Sequence, residues 1–366
     1  MTDSFYETLI DFERRREPHA VATVVKVHGS ASARPGAKAL ISCEGRNVLG
    51  WIGGGCAESL VIQNALIAME SGECRIVEVD LNDEVLGAGM PCGGSMDVFV
   101  EPILPRPRVF LFGDDGVSTL LAQWAYKCGF DVEINSEAEI MPVDFVVLRD
   151  DSLANPRLPK DFSRLISKGL LDVERTAAET ALSLTARLLQ RYRQSSGQPL
   201  WKVKKMPPEC KPRPTGDDSN ENCHLILVGH NRMTEALAEI ATALEWEVSV
   251  NSPGATTGDY SAAVCRILND DAYELSEVTR GCCIVIATQH KGDHRVLKSV
   301  LSRDPGYIGL IASRRRAGLI VDYLSEEGLS EAARNCLHAP CGLDLGAQSP
   351  FEVAISIISE IVARRN

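Results

Sequence analysis

The spacing of apolar residues changes along this chain, and each change marks an element. Residues 2–16 read as a charged amphipathic helix. Residues 20–27 are a β-branched run, read as a strand, which ends in a loop from His28 to Ala37. Strands are expected near 38–43 and 46–52, joined at Glu44-Gly45. A helix over 57–70 follows, with Ala57, Val61, Ala65 and Ala68 at helical spacing. Strands at 75–79 and 96–101 close this part, and Pro102, Pro105 and Pro107 mark a linker.

Beyond residue 107 the pattern repeats. Residues 108–136 align without gaps on 224–252, with identities that include Gly113/Gly229, Leu121/Leu237, Asn135/Asn251 and Ser136/Ser252. Both copies read strand, glycine turn, helix, strand, the opening of a Rossmann-like β-α-β unit. A second, collinear match pairs Thr176 to Glu179 with Ser349 to Glu352. Each segment has a hydroxyl N-cap and a Glu three residues on, a capping box. The chain is therefore α/β. It has an N-terminal α/β domain (1–105), a Rossmann-like parallel-sheet unit (106–193), a polar Pro-containing linker (194–222) and a C-terminal Rossmann-like domain (223–366). The first Rossmann-like unit is a shortened duplicate of the second.

Composition narrows the class. At 366 residues, 45% hydrophobic and 24% charged, this is a globular chain with a sizeable core. Lys+Arg 38 against Asp+Glu 50 gives −12, which argues against a general nucleic-acid or anionic-membrane binder. No apolar run approaches the roughly 20 residues of a membrane span. The N-terminus lacks the basic and apolar regions of a signal peptide. The twelve cysteines show no Cys-x-x-Cys or zinc array, and Cys282-Cys283 lies in an apolar run that reads as a buried strand. A cytoplasmic protein with reduced thiols is expected.

Chemistry concentrates in a few segments. Gly53, Gly54, Gly55 and Cys56 form one glycine–cysteine run, with Glu58 behind it; Cys92, Gly93 and Gly94 form another. Glycine permits close backbone approach to a ligand, and exposed amides beside a thiol favour thiolate. One such run reads as an ordinary turn; two flanking one short α/β stretch read as a ligand site. Neither Rossmann-like turn has Gly-x-Gly-x-x-Gly. The first carries Asp114 and Asp115, which repel a pyrophosphate. The second reads Gly229, His230, Asn231, where Asn231 could take the left-handed conformation of a glycine and leave a phosphate site at the helix N-terminus. NAD(P) is therefore not expected. Gln289 and Asp293 follow a buried strand, where α/β folds place ligands. His290 and His294 are four apart, but Gly292 between them and the lack of a third ligand argue against metal. Ser313, Arg314, Arg315 and Arg316 open a helix with arginines against its dipole, which points to an external phosphate-like anion. A solvated basic turn paired with nearby acids is the alternative. The stretch 339–347, with two glycines and Asp344, could line the same crevice or form a tight self-capped loop.

Six collinear motifs carry a resemblance to a known family. They are Gly29-Ser30 through Arg34-Pro35-Gly36-Ala37, Ile52 through Glu58, Met90 through Gly94 with Phe99 to Pro102, Ala287-Thr288-Gln289 through Asp293, Tyr307 through Arg316, and Ala339 through Ala347. Together they resemble the XdhC/CoxI maturation factors of molybdenum hydroxylases, over about 20–102 and 223–364. The resemblance implies a non-catalytic accessory protein that binds a molybdopterin-type molybdenum cofactor as cargo. It implies insertion of that cofactor into a xanthine dehydrogenase-type or CO dehydrogenase-type client. Cofactor biosynthesis or sulfuration proteins are implied partners, and a homodimer is expected. Carried over to this chain, the cofactor-binding positions are Ser30, Arg34, Gly36, Gly53–Gly55, Cys56, Glu58, Cys92–Gly94, Gly229, Asn231, Gln289, Asp293, Ser313, Arg314 and Arg315. Glu58 could accept pterin N–H bonds or serve the helix dipole. The chain departs from the family at Gly229-His230-Asn231-Arg232, where Gly-x-Gly-His is usual, and at His290, often glycine. Two other readings stay open: an NAD(P)-dependent oxidoreductase using the C-terminal unit, and a scaffold for hydroxylase assembly that holds no cofactor.

Overall fold

The computed structural model describes residues 2–29, 31, 33–53, 56–80, 94–141, 144–148, 165–166, 176–194, 223–260, 266–268, 275, 278–288, 292–301, 303, 305–326 and 336–365. The chain divides into two compact units, Met1–Arg106 and Pro107–Asn366.

In the first unit, helix α1 (Thr2–Arg15) precedes strands β1 (His19–Gly29), β2 (Lys38–Ser42) and β3 (Asn47–Gly50). Helix α2 (Cys56–Ser71) then leads to β4 (Arg75–Asp80) and β5 (Gly94–Ile103). The strands form an antiparallel sheet in the order β3-β2-β1-β5-β4. Alternation fixes its faces: Met96, Val98 and Val100 of β5 point to one core with Val61, Ala65 and Ala68 of α2. Small residues along α2 let the helix sit close to the sheet. Phe12 of α1 packs with Val21 and Leu40 on the opposite face. β5 runs on through Pro102, which pairs with Ala20 and does not belong to the linker expected from the prolines. Past Val100 the strand pairs with β1 but no longer with β4, so the missing proline N–H costs no ladder bond on that side.

The registers bring five strand ends to one level. Gly29 pairs with Gly94, Thr23 with Lys38, Ala39 with Gly50 and Asp80 with Ser95. The strand ends Gly29, Lys38, Gly50, Asp80 and Gly94 therefore all lie at the same end of the sheet.

The second unit holds two parallel sheets. β6 (Arg108–Phe112), α3 (Gly116–Lys127), β7 (Asp131–Ile134), β8 (Phe145–Leu148), β9 (Leu165–Ile166) and α4 (Ala177–Arg193) come first, with sheet order β7-β6-β8-β9. Next are β10 (His224–Val228), α5 (Arg232–Ala243), β11 (Glu247–Asn251), β12 (Arg266–Leu268) and β13 (Cys283–Ile286). The chain closes with α6 (Asp293–Leu301), β14 (Tyr307–Leu310), α7 (Arg314–Glu326), β15 (Leu337–His338) and α8 (Pro350–Arg365). The second sheet runs β12-β11-β10-β13-β14-β15, the 3-2-1-4-5-6 order of a Rossmann fold. The first sheet repeats it from the equivalent of β11 to that of β14. Among the described residues it lacks counterparts of β12 and β15, one at each edge.

Side chains repeat as well as strands. Phe130, after α3, stacks edge-on against Tyr192 near the end of α4, with centroids 5.2 Å apart. In the matching place Trp246 carries Arg365, its guanidinium 5.5 Å from the ring. The Thr176/Glu179 capping box is fully formed, and Ser349 Oγ accepts from Glu352 N at 3.3 Å. The two copies share one core: Trp124, Leu182 and Leu189 belong to the same buried cluster as Leu237, Ile355 and Ile358. Lys127 pairs with Glu239, and Arg193 with Glu352 at 3.1 Å, across that layer of helices. Among the described residues, no helix is long and apolar enough to cross a membrane.

Candidate functional site

At the loop-bearing end of the first unit, the glycine run begins under tight constraint. A side chain on Gly50 would put Cβ 2.2 Å from the Lys38 carbonyl oxygen, at φ +90°, so only glycine closes this turn. Trp51 beyond it is exposed, Ile52 is buried, and Gly53 is buried with φ +111°. The backbone of Cys56 opens α2. Glu58, in the first turn, accepts from Asn47 Nδ2 at 2.5 Å, and the same amide reaches Gly50 O at 3.3 Å. One link thus ties the carboxylate to the turn before it. Arg34 and Gly36 are exposed on the neighbouring loop, which Gly36 N fastens to Val24 O at 2.8 Å. Gly94 is buried at the first position of β5. Ser30, Gly54, Gly55, Cys92, Gly93 and Gln289 lie outside the described residues.

In the second unit, the expected positions gather at the C-terminal ends of β10, β13 and β14, the crevice side of this strand order. Gly229 follows β10 with φ +115°. A Cβ there would lie 2.4 Å from the Ala287 carbonyl oxygen, so the turn after β10 rests directly on the end of β13. Asn231 departs from the left-handed conformation expected of it. It is extended, at φ −170°, and caps α5. Its Oδ1 accepts from Met233 N at 2.9 Å and Thr234 N at 3.2 Å, and its Nδ2 donates to Ala287 O at 3.0 Å. The side chain wins because it satisfies two orphan helix amides and holds two strands together. Those amides are then not open to a pyrophosphate. The first copy does the same with Asp115, which accepts from Ser118 N at 2.8 Å. Over the second turn, Tyr260 OH lies 3.0 Å from His230 Nδ1 and 3.1 Å from Thr234 Oγ1. Burial pushes the Tyr260 phenol up, so it stays protonated.

One strand further, Asp293 is turned inward. Arg316 donates to its Oδ2 through Nε at 3.1 Å and Nη2 at 2.6 Å, and Thr288 Oγ1 donates to Oδ1. This carboxylate anchors the third arginine of the run to the loop that follows β13. Ser313 caps α7 loosely, its Oγ 3.3 Å from Arg316 N. Arg314 and Arg315 are exposed in the first turn of α7, which contains no acid. The site thus presents two outward arginines, held in place by a third that is neutralised.

The Arg316–Asp293 pair, 23 residues apart, and the Tyr260–His230 contact carry no local sequence signal. Cys128, Cys223, Cys282, Cys283 and Cys341 are buried in this unit; burial pushes the Cys282 thiol up to about 11, and Cys341 also upward.

Residues 13–80 match the XdhC and CoxI family, and residues 225–361 match the XdhC Rossmann domain; between them the two matches span more than half of the chain. Relatives extend over nearly all of it. YqeB of Escherichia coli K12, described as uncharacterised, is 25% identical over 97% of this chain. The chain spans only 45% of YqeB. A probable xanthine dehydrogenase component of Bacillus subtilis 168 is 24% identical over 98% of this chain and 97% of its own length. The crystal structure of a xanthine dehydrogenase from Bacillus halodurans matches 98% of this chain and 95% of its own, at 19% identity and a TM-score of 0.35.

Proposed function

The chain belongs to the XdhC and CoxI family, and on that premise we propose that it is a maturation factor for a molybdenum hydroxylase of the xanthine dehydrogenase or CO dehydrogenase type. It holds a molybdopterin-type molybdenum cofactor as cargo and assists its insertion into the client. The reading rests most on one arrangement: the strand ends Gly29, Lys38, Gly50, Asp80 and Gly94, which flank in sequence the segments carrying Ser30 and Arg34, Gly53 to Cys56, and Cys92 to Gly94, lie at one end of one sheet. Loop amides suit a phosphate and the polar edge of a pterin, and soft thiolates suit molybdenum and sulfur. Arg314 and Arg315 offer bidentate donors to a phosphate. The client hydroxylase, cofactor biosynthesis or sulfuration proteins, and a second copy of the chain are the proposed partners.

The self-capped turns weigh against the oxidoreductase reading. A nicotinamide dinucleotide needs helix amides that Asn231 and Asp115 already occupy.

Two double variants test the assignment by equilibrium binding of isolated molybdenum–molybdopterin cofactor. Cys56→Ala/Cys92→Ala and Arg314→Ala/Arg315→Ala are each expected to weaken binding by about tenfold or more. Circular dichroism and Tm should stay close to those of the unaltered chain. Wild-type affinity in both double variants contradicts the assignment.

A further inference from the structure

One asparagine is spent differently in the two copies. Asn135 and Asn251 occupy the same place, following or ending the second strand of each unit. Asn135 folds back on the first turn: its Oδ1 accepts from Gly113 N at 3.1 Å and its Nδ2 donates to Gly113 O at 3.1 Å. It adopts φ +46° to do so, and the turn is closed by protein.

Asn251 does none of this. Its backbone stays in β11, paired with Val228, and its main-chain carbonyl takes over the bond from Gly229 N at 2.9 Å. The side chain is left over. Val248 and Val250 face the core shared with α5 and α8. Asn251 therefore projects from the other face, beside Val228 and Ile286 at the ends of their strands. It is 1% exposed, and its Oδ1 has no hydrogen-bond partner among the described residues. An acceptor buried in this way costs free energy that water cannot repay. In a 3-2-1-4-5-6 sheet, the end of this strand is where a ribose hydroxyl meets the protein.

We propose that Asn251 is the ribose-recognising residue of a ribonucleotide site at the C-terminal edge of β11 and β10. The ligand class is a ribonucleoside phosphate, with a ribose hydroxyl donating to Oδ1. Its phosphates do not use the first turn of α5, whose amides Asn231 takes; they run toward Arg314 and Arg315. The β11 and β14 strand ends are three strand spacings apart, roughly 14 Å. The shortened copy is blind, because Asn135 closes its own turn and Asp114 and Asp115 repel phosphate. The inference does not depend on a molybdenum cargo.

Calorimetric titration of the full chain with ADP, GDP and CDP, and with their 2′-deoxy and 3′-deoxy analogues, tests it. At least one ribonucleotide is expected to bind saturably with Kd of about 1 mM or tighter. Removing one of its ribose hydroxyls should weaken it by about tenfold or more. Asn251→Leu should erase that preference and leave Tm unchanged or raised, since the orphaned acceptor is gone. Absence of binding by all three, or equal binding of ribo and deoxy forms, overturns the proposal. So does a preference that survives in Asn251→Leu. If that variant does not fold, the comparison on the unaltered chain decides alone.

Discussion

Replacing Glu360 with alanine is expected to remove about 3–5 kcal/mol of folding stability, because it strips the anion from a buried polar network. Glu360 lies in α8 and is 1% exposed. Its Oε2 accepts from Tyr307 OH and from Gly342 N, both at 2.7 Å. Its Oε1 faces His338 Nδ1 at 3.3 Å. Arg364 donates to His338 Nε2, which leaves the imidazole proton on Nδ1, toward the carboxylate. The Tyr307 and His338 rings stack at 4.5 Å. Three elements, β14, β15 and α8, meet at this one carboxylate.

The same network sets an acid limit on stability. Burial opposes the charge on Glu360, but the close His338 imidazole and the hydrogen bonds from Gly342 and Tyr307 outweigh it and hold its carboxyl below the usual 4.5. Burial holds His338 below the usual 6.5, and neutral. Both groups bind protons more readily unfolded than folded, so stability rises with pH across their range. His338 contributes above about 6.5, and its contribution is lost as pH falls below that. Glu360 contributes above about 4.5 and is lost at lower pH. Urea unfolding at pH 7 and at pH 4 checks this. The penalty of Glu360→Ala should be large at pH 7 and smaller at pH 4. A penalty under 1 kcal/mol at pH 7 would show that the network holds little.

Gly229→Ala is expected to cost on the order of 3 kcal/mol. The new Cβ meets backbone atoms, Ala287 O at 2.4 Å and Ala287 C at 2.8 Å, that no rotamer change relieves. The φ of +115° adds strain for any L side chain. Relief must come from separating the ends of β10 and β13, where Asn231 also bridges to Ala287. Gly116 is the control. It opens α3 with nothing within 4 Å of an added Cβ. Gly116→Ala should therefore be neutral or stabilising by up to about 1 kcal/mol. Equal Tm values for the two variants would show that the β10 turn is not tightly seated.

What could be read from residue order was mostly local or periodic. The α2 register of Ala57, Val61, Ala65 and Ala68, the alternation in β5 and the repeat at Gly113 and Gly229 all describe what the chain forms. The broken fingerprint argued against a bound NAD(P) but left a phosphate site open at the second turn, whose helix amides Asn231 takes. Asn231 was expected to imitate glycine; it acts through its carboxamide instead, which depends on where Ala287 lies 56 residues on. Asp293 was expected among the cofactor-binding positions, and its two oxygens turn to Thr288 and Arg316. The Tyr307–Glu360 network joins residues 53 apart that no spacing rule connects. Pro102 was misplaced because proline reads as a breaker, although a strand pairing on one side tolerates it.

A chain that carries a cofactor for another protein, as proposed, must hold it and hand it over. The most direct test is a transfer experiment: load the purified full chain with molybdenum–molybdopterin cofactor, remove excess, and add a cofactor-free xanthine dehydrogenase-type hydroxylase. Molybdenum should remain with the chain in stoichiometric amount, then move to the hydroxylase as hydroxylase activity appears, with no turnover by the chain alone. A chain that retains no cofactor, or that by itself oxidises a substrate with NAD(P), is not a cofactor carrier of this kind.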